Sequence, residues 1–213
     1  VFDDAENLDH VAEHVVNAAF WNAGQNCSAT SRLIVHTAVK DTLLEKIKAR
    51  LRDWKVGDPL DPTTHIGALI DAKHCAKVRS FLDDKGDGPF VSPMIFEVKT
   101  DDPRAHVEIF GPVLCVMTAA SNDEAVQVAN DTDYGLAASV FSAGNRRAIR
   151  ASRDIKAGTV TINCYGEGNI ATPFGGDKKS GFGGRDNGLH AHDQYTEIKT
   201  IWIDLNYPAD GDN

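Results

Sequence analysis

Apolar side chains at Leu8, Val11, Val15, Ala18 and Ala19 recur at the three- and four-residue spacing of one helical face. That pattern predicts a helix from about residue 6 to 22, and Gly24 is well placed to stop it. Arg32-Leu-Ile-Val-His36 reads as a short strand, and residues 40–54, with Leu43, Leu44, Ile47 and Leu51 on one face, as a second helix. A turn-rich loop, 57–62, precedes a third helix at about 72–82, and residues 83–89, Asp-Asp-Lys-Gly-Asp-Gly-Pro, read as a linker. The rhythm then changes: strand 113–119, helix 121–130, strand 137–141, helix 145–154, strand 159–163. Ser121 and Glu124 have capping-box spacing, which fixes the start of the first of these helices. Strand alternating with helix over short links predicts an α/β fold, a mostly parallel twisted sheet, doubly wound with helices on both faces. Ligands of such sheets sit beyond the carboxyl ends of strands, which directs attention to the loop 165–188 with its eight glycines. Residues 196–205, Thr-Glu-Ile-Lys-Thr-Ile-Trp-Ile-Asp-Leu, form a last long strand in need of a partner, followed by an acidic tail.

The chain has 213 residues, 42% hydrophobic and 25% charged, within the ordinary globular range. At this size roughly 70% of the unfolded surface is removable from water, so one core suffices without metal or disulfide staples. Thirty-one acidic against twenty-two basic residues leave a net charge of -9, which disfavours nucleic acid and anionic membrane as partners. No apolar run approaches the roughly 18 residues of a membrane span. Val1-Phe-Asp-Asp-Ala-Glu6 carries neither a signal sequence nor an initiator methionine. Cys27, Cys75, Cys115 and Cys164 lie at least 40 residues apart, a spacing that suits neither a zinc knuckle nor a disulfide frame. Reduced thiols and a cytoplasmic location are expected.

Several short patterns carry possible chemistry. His10-Val-Ala-Glu-His14 fits a zinc-peptidase pattern, but no third carboxylate ligand follows, and it is read as a solvated helix flank. Gly166-Glu-Gly-Asn-Ile-Ala171 imitates a dinucleotide fingerprint without the helix that the fingerprint requires, and is rejected. Cys27 follows a helix that stops at a glycine, which suits a shaped loop where a thiolate could meet oriented backbone N–H groups and attack a carbonyl carbon, although taken alone a small buried hydrophobe is the commoner role of a cysteine. Cys75, on a helix, and Cys115, in an apolar strand, read as small buried hydrophobes. In Glu108-Ile-Phe-Gly-Pro112 a carboxylate and an aromatic ring project to one side of an extended segment, which suits a ribose and a planar base but by itself fits a strand-end glutamate and a core phenylalanine better.

Together these segments resemble the aldehyde dehydrogenase superfamily. Phe20-x-Asn-x-Gly-Gln-x-Cys27 matches its nucleophile motif, Lys55-Val-Gly-Asp-Pro-Leu-Asp-Pro62 its characteristic loop and Glu108-Ile-Phe-Gly-Pro-Val113 its cofactor-ribose motif. Tyr134-Gly-Leu-Ala-Ala138 is similar to another signature, and Pro173-Phe-Gly-Gly-x-Lys-x-Ser-Gly181 to the substrate-side loop, in order from Val1 to about Leu205. Asn163-Cys-Tyr-Gly-Glu-Gly168, Gly184-Arg-Asp-Asn-Gly-Leu-His-Ala-His192 and Lys199-Thr-Ile-Trp-Ile203 look most like the γ-glutamyl-γ-aminobutyraldehyde and other ω-aminoaldehyde dehydrogenases. The resemblance implies NAD(P)-dependent oxidation of an aldehyde to an acid, with Cys27 as nucleophile through a thiohemiacetal and a thioester. It implies NAD or NADP as cofactor, Glu108 on the nicotinamide ribose and Phe110 beside the ring. Trp21 and Phe174 are expected to line the substrate tunnel, and Glu167 to attract a substrate ammonium.

It also implies a division of the chain. Residues 1–190 correspond to the catalytic domain and 191–213 to a C-terminal strand and tail that pair with a neighbouring subunit in a homodimer or homotetramer. The family's cofactor-binding domain, its general-base glutamate and the amide completing the oxyanion hole fall outside these residues, so the isolated chain is expected to be impaired. Around Lys85 the family pattern holds a further strand that is missing here, and Val107 and Asp177 replace usual acidic and aromatic residues. Two other readings stay open: a cofactor-independent cysteine esterase, and a non-catalytic assembly module.

Overall fold

A computed structural model describes residues 1–82, 84–166 and 168–206. Three parallel strands, β1 (Arg32–His36), β2 (Met94–Glu97) and β3 (Val113–Ala119), form one sheet in the order β1-β3-β2, with Arg32 opposite Cys115 and Met94 opposite Val113. The central strand β3 is buried at every position but Thr118. A strand paired on both edges and covered on both faces has no solvent side, so it reads as a continuous apolar run. The edge strand β2 is half-exposed and only four residues long, which is why the sequence pattern did not reveal it. Residues 84–93 form no strand.

Helix α1 (Leu8–Phe20) is capped by the Asn7 side chain, which accepts from the His10 N–H, and it packs on α2 (Lys40–Leu51). The expected apolar face of α1 is buried apart from the partly exposed Leu8, and it is wider than its periodicity suggested, with Ala12, Val16 and Phe20 also inside. Leu43, Leu44 and Ile47 of α2, Leu33 and Val35 of β1, Val78 of α3 (Ala72–Ser80) and Leu114 and Val116 of β3 complete this core. Each such side chain contributes roughly 1.5–3 kcal/mol on full burial.

A second parallel pair, β5 (Ala137–Val140) with β6 (Thr159–Ile162), is linked by α5 (Asn145–Asp154). Helix α4 (Asn122–Asn130) packs on β1 and β3, and the two-residue strands β4 (Tyr134–Gly135) and β7 (Asp177–Lys178) pair antiparallel. The capping box at α4 is shifted by one residue: Ser121 Oγ accepts from Glu124 N–H at 3.1 Å, while the Glu124 carboxylate accepts from Ala120 N–H at 2.7 Å.

Val1 and Phe2 stitch the two parallel units. Val1 N donates to the Ile34 carbonyl at 2.7 Å, its carbonyl accepts from His36 N–H at 2.9 Å, and Phe2 N–H donates to Phe141 at 3.0 Å. Beyond them the end strands β1 and β5 face each other across a cavity of about 480 Å³, walled by Arg32–Ile34 on one side and Ala137–Val140 on the other.

The long strand expected at 196–205 is not present as a strand among the described residues. Ile198, Ile201, Trp202, Ile203 and Leu205 are exposed. The strand signal is one of side-chain type, but a strand is stabilised by a paired neighbour, and among the described residues no strand pairs with that segment. The tail 207–213 lies outside the described residues.

Candidate active site

The loop bearing Cys27 begins where α1 runs out. Asn22 (φ 53°), Ala23 (φ 57°) and Gly24 (φ 69°) take left-handed backbone conformations in succession, a tight reversal that only glycine adopts without cost. At Gly24 a side chain is also impossible for space: a Cβ there would lie 2.2 Å from the Gly111 carbonyl oxygen. The backbone of the cysteine loop is thereby pressed against the Glu108–Pro112 segment. Gly111 is also closely packed, since a Cβ on it would come within 2.8 Å of the Val78 methyls of α3.

This backbone contact brings Cys27, Glu108 and Phe110, far apart in the chain, to the wall of one cavity. Cys27 is exposed, and its Sγ lies 3.8 Å from Asn26 Oδ1. Among the described residues no imidazole is hydrogen-bonded to that sulfur, so the base that a cysteine hydrolase needs is not supplied at this position. Phe110 sits at φ 61°, held by His74 of α3, whose Nε2–H donates to the Phe110 carbonyl at 2.7 Å and whose ring meets the phenyl edge to face. Lys77, one helical turn on, donates from Nζ to the Glu108 carbonyl at 3.0 Å. The Glu108 carboxylate itself is exposed and in no ion pair among the described residues, so its oxygens remain available as acceptors. A carboxylate and an aromatic ring on the wall of one cavity suit the hydroxyls of a ribose and a flat heterocycle.

Two other expected site residues, Trp21 and Phe174, are not among those that line this cavity. Trp21 is 58% exposed at the loop's start. Phe174 is half-buried in an antiparallel bridge with Asp186, exchanging hydrogen bonds of 2.8 and 2.7 Å. Glu167 lies outside the described residues. Val107 is exposed next to Glu108, and Asp177 pairs its carboxylate with Arg185 at 2.9 Å. Cys75 and Cys115 are buried, as their positions in the sequence implied, and burial pushes the Cys115 thiol up from its ordinary value.

Of the histidines of α1, His10 is exposed as expected of a solvated flank and His14 is half-buried, and both make hydrogen bonds to a distant segment. His10 Nε2–H donates to the Asn163 carbonyl at 2.9 Å, and His14 Nδ1 accepts from Tyr165 N–H at 3.2 Å. Burial, reinforced by the neighbouring His10, holds His14 below the usual imidazole value, which favours the neutral ring whose Nδ1 lone pair takes that bond. Among the described residues no group of three or more His, Cys, Asp or Glu is placed to hold a metal ion, and no helix is long and apolar enough to cross a membrane. Sequence reasoning missed Tyr165, His74 and Lys77 because they act through backbone atoms or across distant loops. The two-histidine spacing on α1 was the one signal that pointed to a contact.

The profile of the "Aldehyde dehydrogenase family" matches residues 1–201. The chain is 53% identical to an aminoacetaldehyde dehydrogenase of Pseudomonas aeruginosa over 96% of its own length and 44% of that protein's. It is 42% identical to an NADP/NAD-dependent aldehyde dehydrogenase of Escherichia coli, with the same shares, 96% and 44%. The solved structure of a γ-glutamyl-γ-aminobutyraldehyde dehydrogenase from Burkholderia cenocepacia superposes with a TM-score of 0.87 at 43% identity, covering 92% of this chain and 43% of that one. The chain thus spans less than half the length of the relatives it matches. The matched profile, the shared α/β fold and the cysteine loop pressed on the Glu108–Pro112 segment together make this chain a member of the aldehyde dehydrogenase family.

Proposed function

We propose that this chain supplies the nucleophile and the ribose-facing residues of an NAD(P)-dependent aldehyde dehydrogenase acting on ω-aminoaldehydes. The observation that carries the reading is the Gly24–Gly111 contact, which sets Cys27, Glu108 and Phe110 on one cavity. Cys27 Sγ adds to the aldehyde carbonyl carbon to give a thiohemiacetal and, after oxidation, a thioester that water cleaves to the acid. The developing oxyanion is met by the Cys27 backbone N–H. NAD or NADP supplies the hydride acceptor when bound. Glu108 would hold its ribose hydroxyls and Phe110 its flat ring. Trp21 and Phe174 are assigned to the aldehyde's path. Glu167 is assigned to the substrate ammonium, in keeping with the aminoaldehyde names of the similar proteins.

In the same reading residues 1–190 make up the catalytic unit, and residues 191–213 pair with a neighbouring subunit in a cytoplasmic homodimer or homotetramer. The exposed Ile198, Ile201, Trp202 and Ile203 support that pairing, since pairing with a neighbouring subunit would shield such a row from water.

The test has two arms. Joined to a dinucleotide-binding domain, the chain should oxidise a cationic aminoaldehyde faster than a neutral aldehyde of equal length, and Cys27→Ala should abolish turnover. Residual turnover in that variant would remove Cys27 from its role. The 213-residue chain alone should turn over below the ~1–10³ s⁻¹ typical of enzymes, and a rate inside that range would overturn its dependence on a second domain.

A further inference from the structure

The two residues that flank Cys27 are tied to a segment almost 140 positions away. Tyr165 Oη accepts from Asn26 Nδ2 at 3.0 Å and lies 3.3 Å from Ser28 Oγ, and Asn26 Nδ2 also reaches Ser28 Oγ at 3.0 Å. Ser28 is 6% exposed, so its hydroxyl is fixed inside the protein while the thiol beside it faces out. The three side chains contact one another through hydrogen bonds at the base of the cysteine loop.

Tyr165 is itself anchored on both sides. Just before it the chain turns at Asn163 (φ 56°), whose side chain exchanges two 2.9 Å hydrogen bonds with the Ser142 backbone at the end of β5. From the other side α1 grips the same turn, with His10 on the Asn163 carbonyl and His14 on the Tyr165 N–H. The two imidazoles support each other in a T-shaped contact at 4.3 Å. Helix α1 therefore touches the loop of Cys27 twice: directly, by the chain that follows its last turn, and indirectly, through His14 and Tyr165.

We propose that Tyr165 is a positioning residue for Cys27, its hydroxyl fixing Asn26 and Ser28 so that Sγ is aimed along one line of attack, and that His14 positions Tyr165. The proposal rests on the reading of Cys27 as nucleophile. An exposed thiol on a loop with no regular structure has many accessible directions, and addition to a carbonyl needs one of them. Holding both neighbours removes that freedom without covering the sulfur.

The experiment compares two reactions of Cys27 in the 213-residue chain. With 4-nitrophenyl acetate, Sγ attacks the ester carbonyl, a C–S bond forms, and the C–O bond breaks to release nitrophenolate as a burst. This reaction requires an aimed sulfur. Alkylation by iodoacetamide at a flexible, small carbon requires little more than an accessible thiolate. Tyr165→Phe, which deletes only the hydroxyl, should slow the burst on the order of 10- to 100-fold and leave alkylation unchanged. His14→Leu should reproduce that split, and His14→Asn, which keeps an acceptor near Nδ1, should restore the burst. An unchanged burst in Tyr165→Phe, an equal fall in both reactions, or a His14→Asn variant as slow as His14→Leu would overturn the proposal. A parent chain without a burst, or a Cys27→Ala variant that keeps one, would instead overturn the nucleophile reading, and the proposal with it.

Discussion

At Gly24 a single hydrogen in place of a side chain decides whether the site assembles. The residue combines φ 69° with a Cβ position 2.2 Å from a backbone carbonyl, and backbone, unlike a flexible side chain, cannot swing aside. Gly24→Ala is expected to cost about 1–3 kcal/mol from the left-handed conformation, with the clash added to it. A lowered urea midpoint and slower ester acylation at Cys27 would check this, and a variant with parental values in both would show that the two loops do not depend on each other. The adjacent Asn22 and Ala23 reach the same backbone region with side chains attached. Asn22 is compensated by its Nδ2 donating to the Gln25 carbonyl at 2.9 Å. Cys27 itself was legible in the sequence as a loop cysteine after a helix-stopping glycine. Its partner across the cavity was not, because nothing in the spacing of residues 24 and 111 announces that two glycines touch.

Among the elements, the turn that leads into the Glu108 segment has its own electrostatic control. Asp102 caps the short helical turn Pro103–Ala105 by accepting from Arg104 N–H at 2.9 Å, and its carboxylate is gripped by the Arg104 guanidinium at 3.0 and 2.7 Å. That guanidinium also lies over the Phe96 ring of β2, 4.4 Å from its centre, which couples the turn to the sheet edge. The Arg104 side chain first, and its backbone N–H second, hold Asp102 down to about 2. Its value in an unfolded chain is about 3.9, so between about pH 4 and pH 2 the unfolded state binds more protons than the folded one. Stability from this group is fully present above that window and is lost as pH falls through it. Asp102→Asn should therefore flatten the acid limb of a plot of stability against pH between about 4 and 2, measured by urea unfolding at successive pH values. A variant whose acid limb matches the parent would assign that limb to other carboxylates. Element positions were readable where the pattern was local, as for α1, β3 and α4. The β4–β7 pairing joins residues more than forty apart, and no local pattern encodes it.

For the whole molecule the decisive features are its open edges. The end strands β1 and β5 face each other across the cavity, joined at one end by Val1 and Phe2, and the apolar segment 196–205 is exposed. Unpaired edges and apolar rows are templates for pairing with another chain. The chain is expected to associate with increasing concentration, and removal of residues 196–213 should shift the sedimentation distribution toward monomer while leaving far-ultraviolet circular dichroism close to the parent. Association unchanged by the deletion would move the contact surface to the β1 and β5 edges.

The amino-acid sequence by itself determined the α/β class, the faces of α1 and α2 and the buried β3, and it singled out Cys27, Glu108 and Phe110 as candidates, because each rests on neighbours in the chain: periodicity, caps, turns and compact motifs. Only the tertiary structure decided which of them meet. The Gly24–Gly111 approach, the grip of His74 on Phe110 and the tie from Tyr165 to Asn26 and Ser28 depend on distances between backbones far apart in the chain. The same physics explains residues 196–205, where β propensity is a property of the side chains but a strand exists only beside another edge.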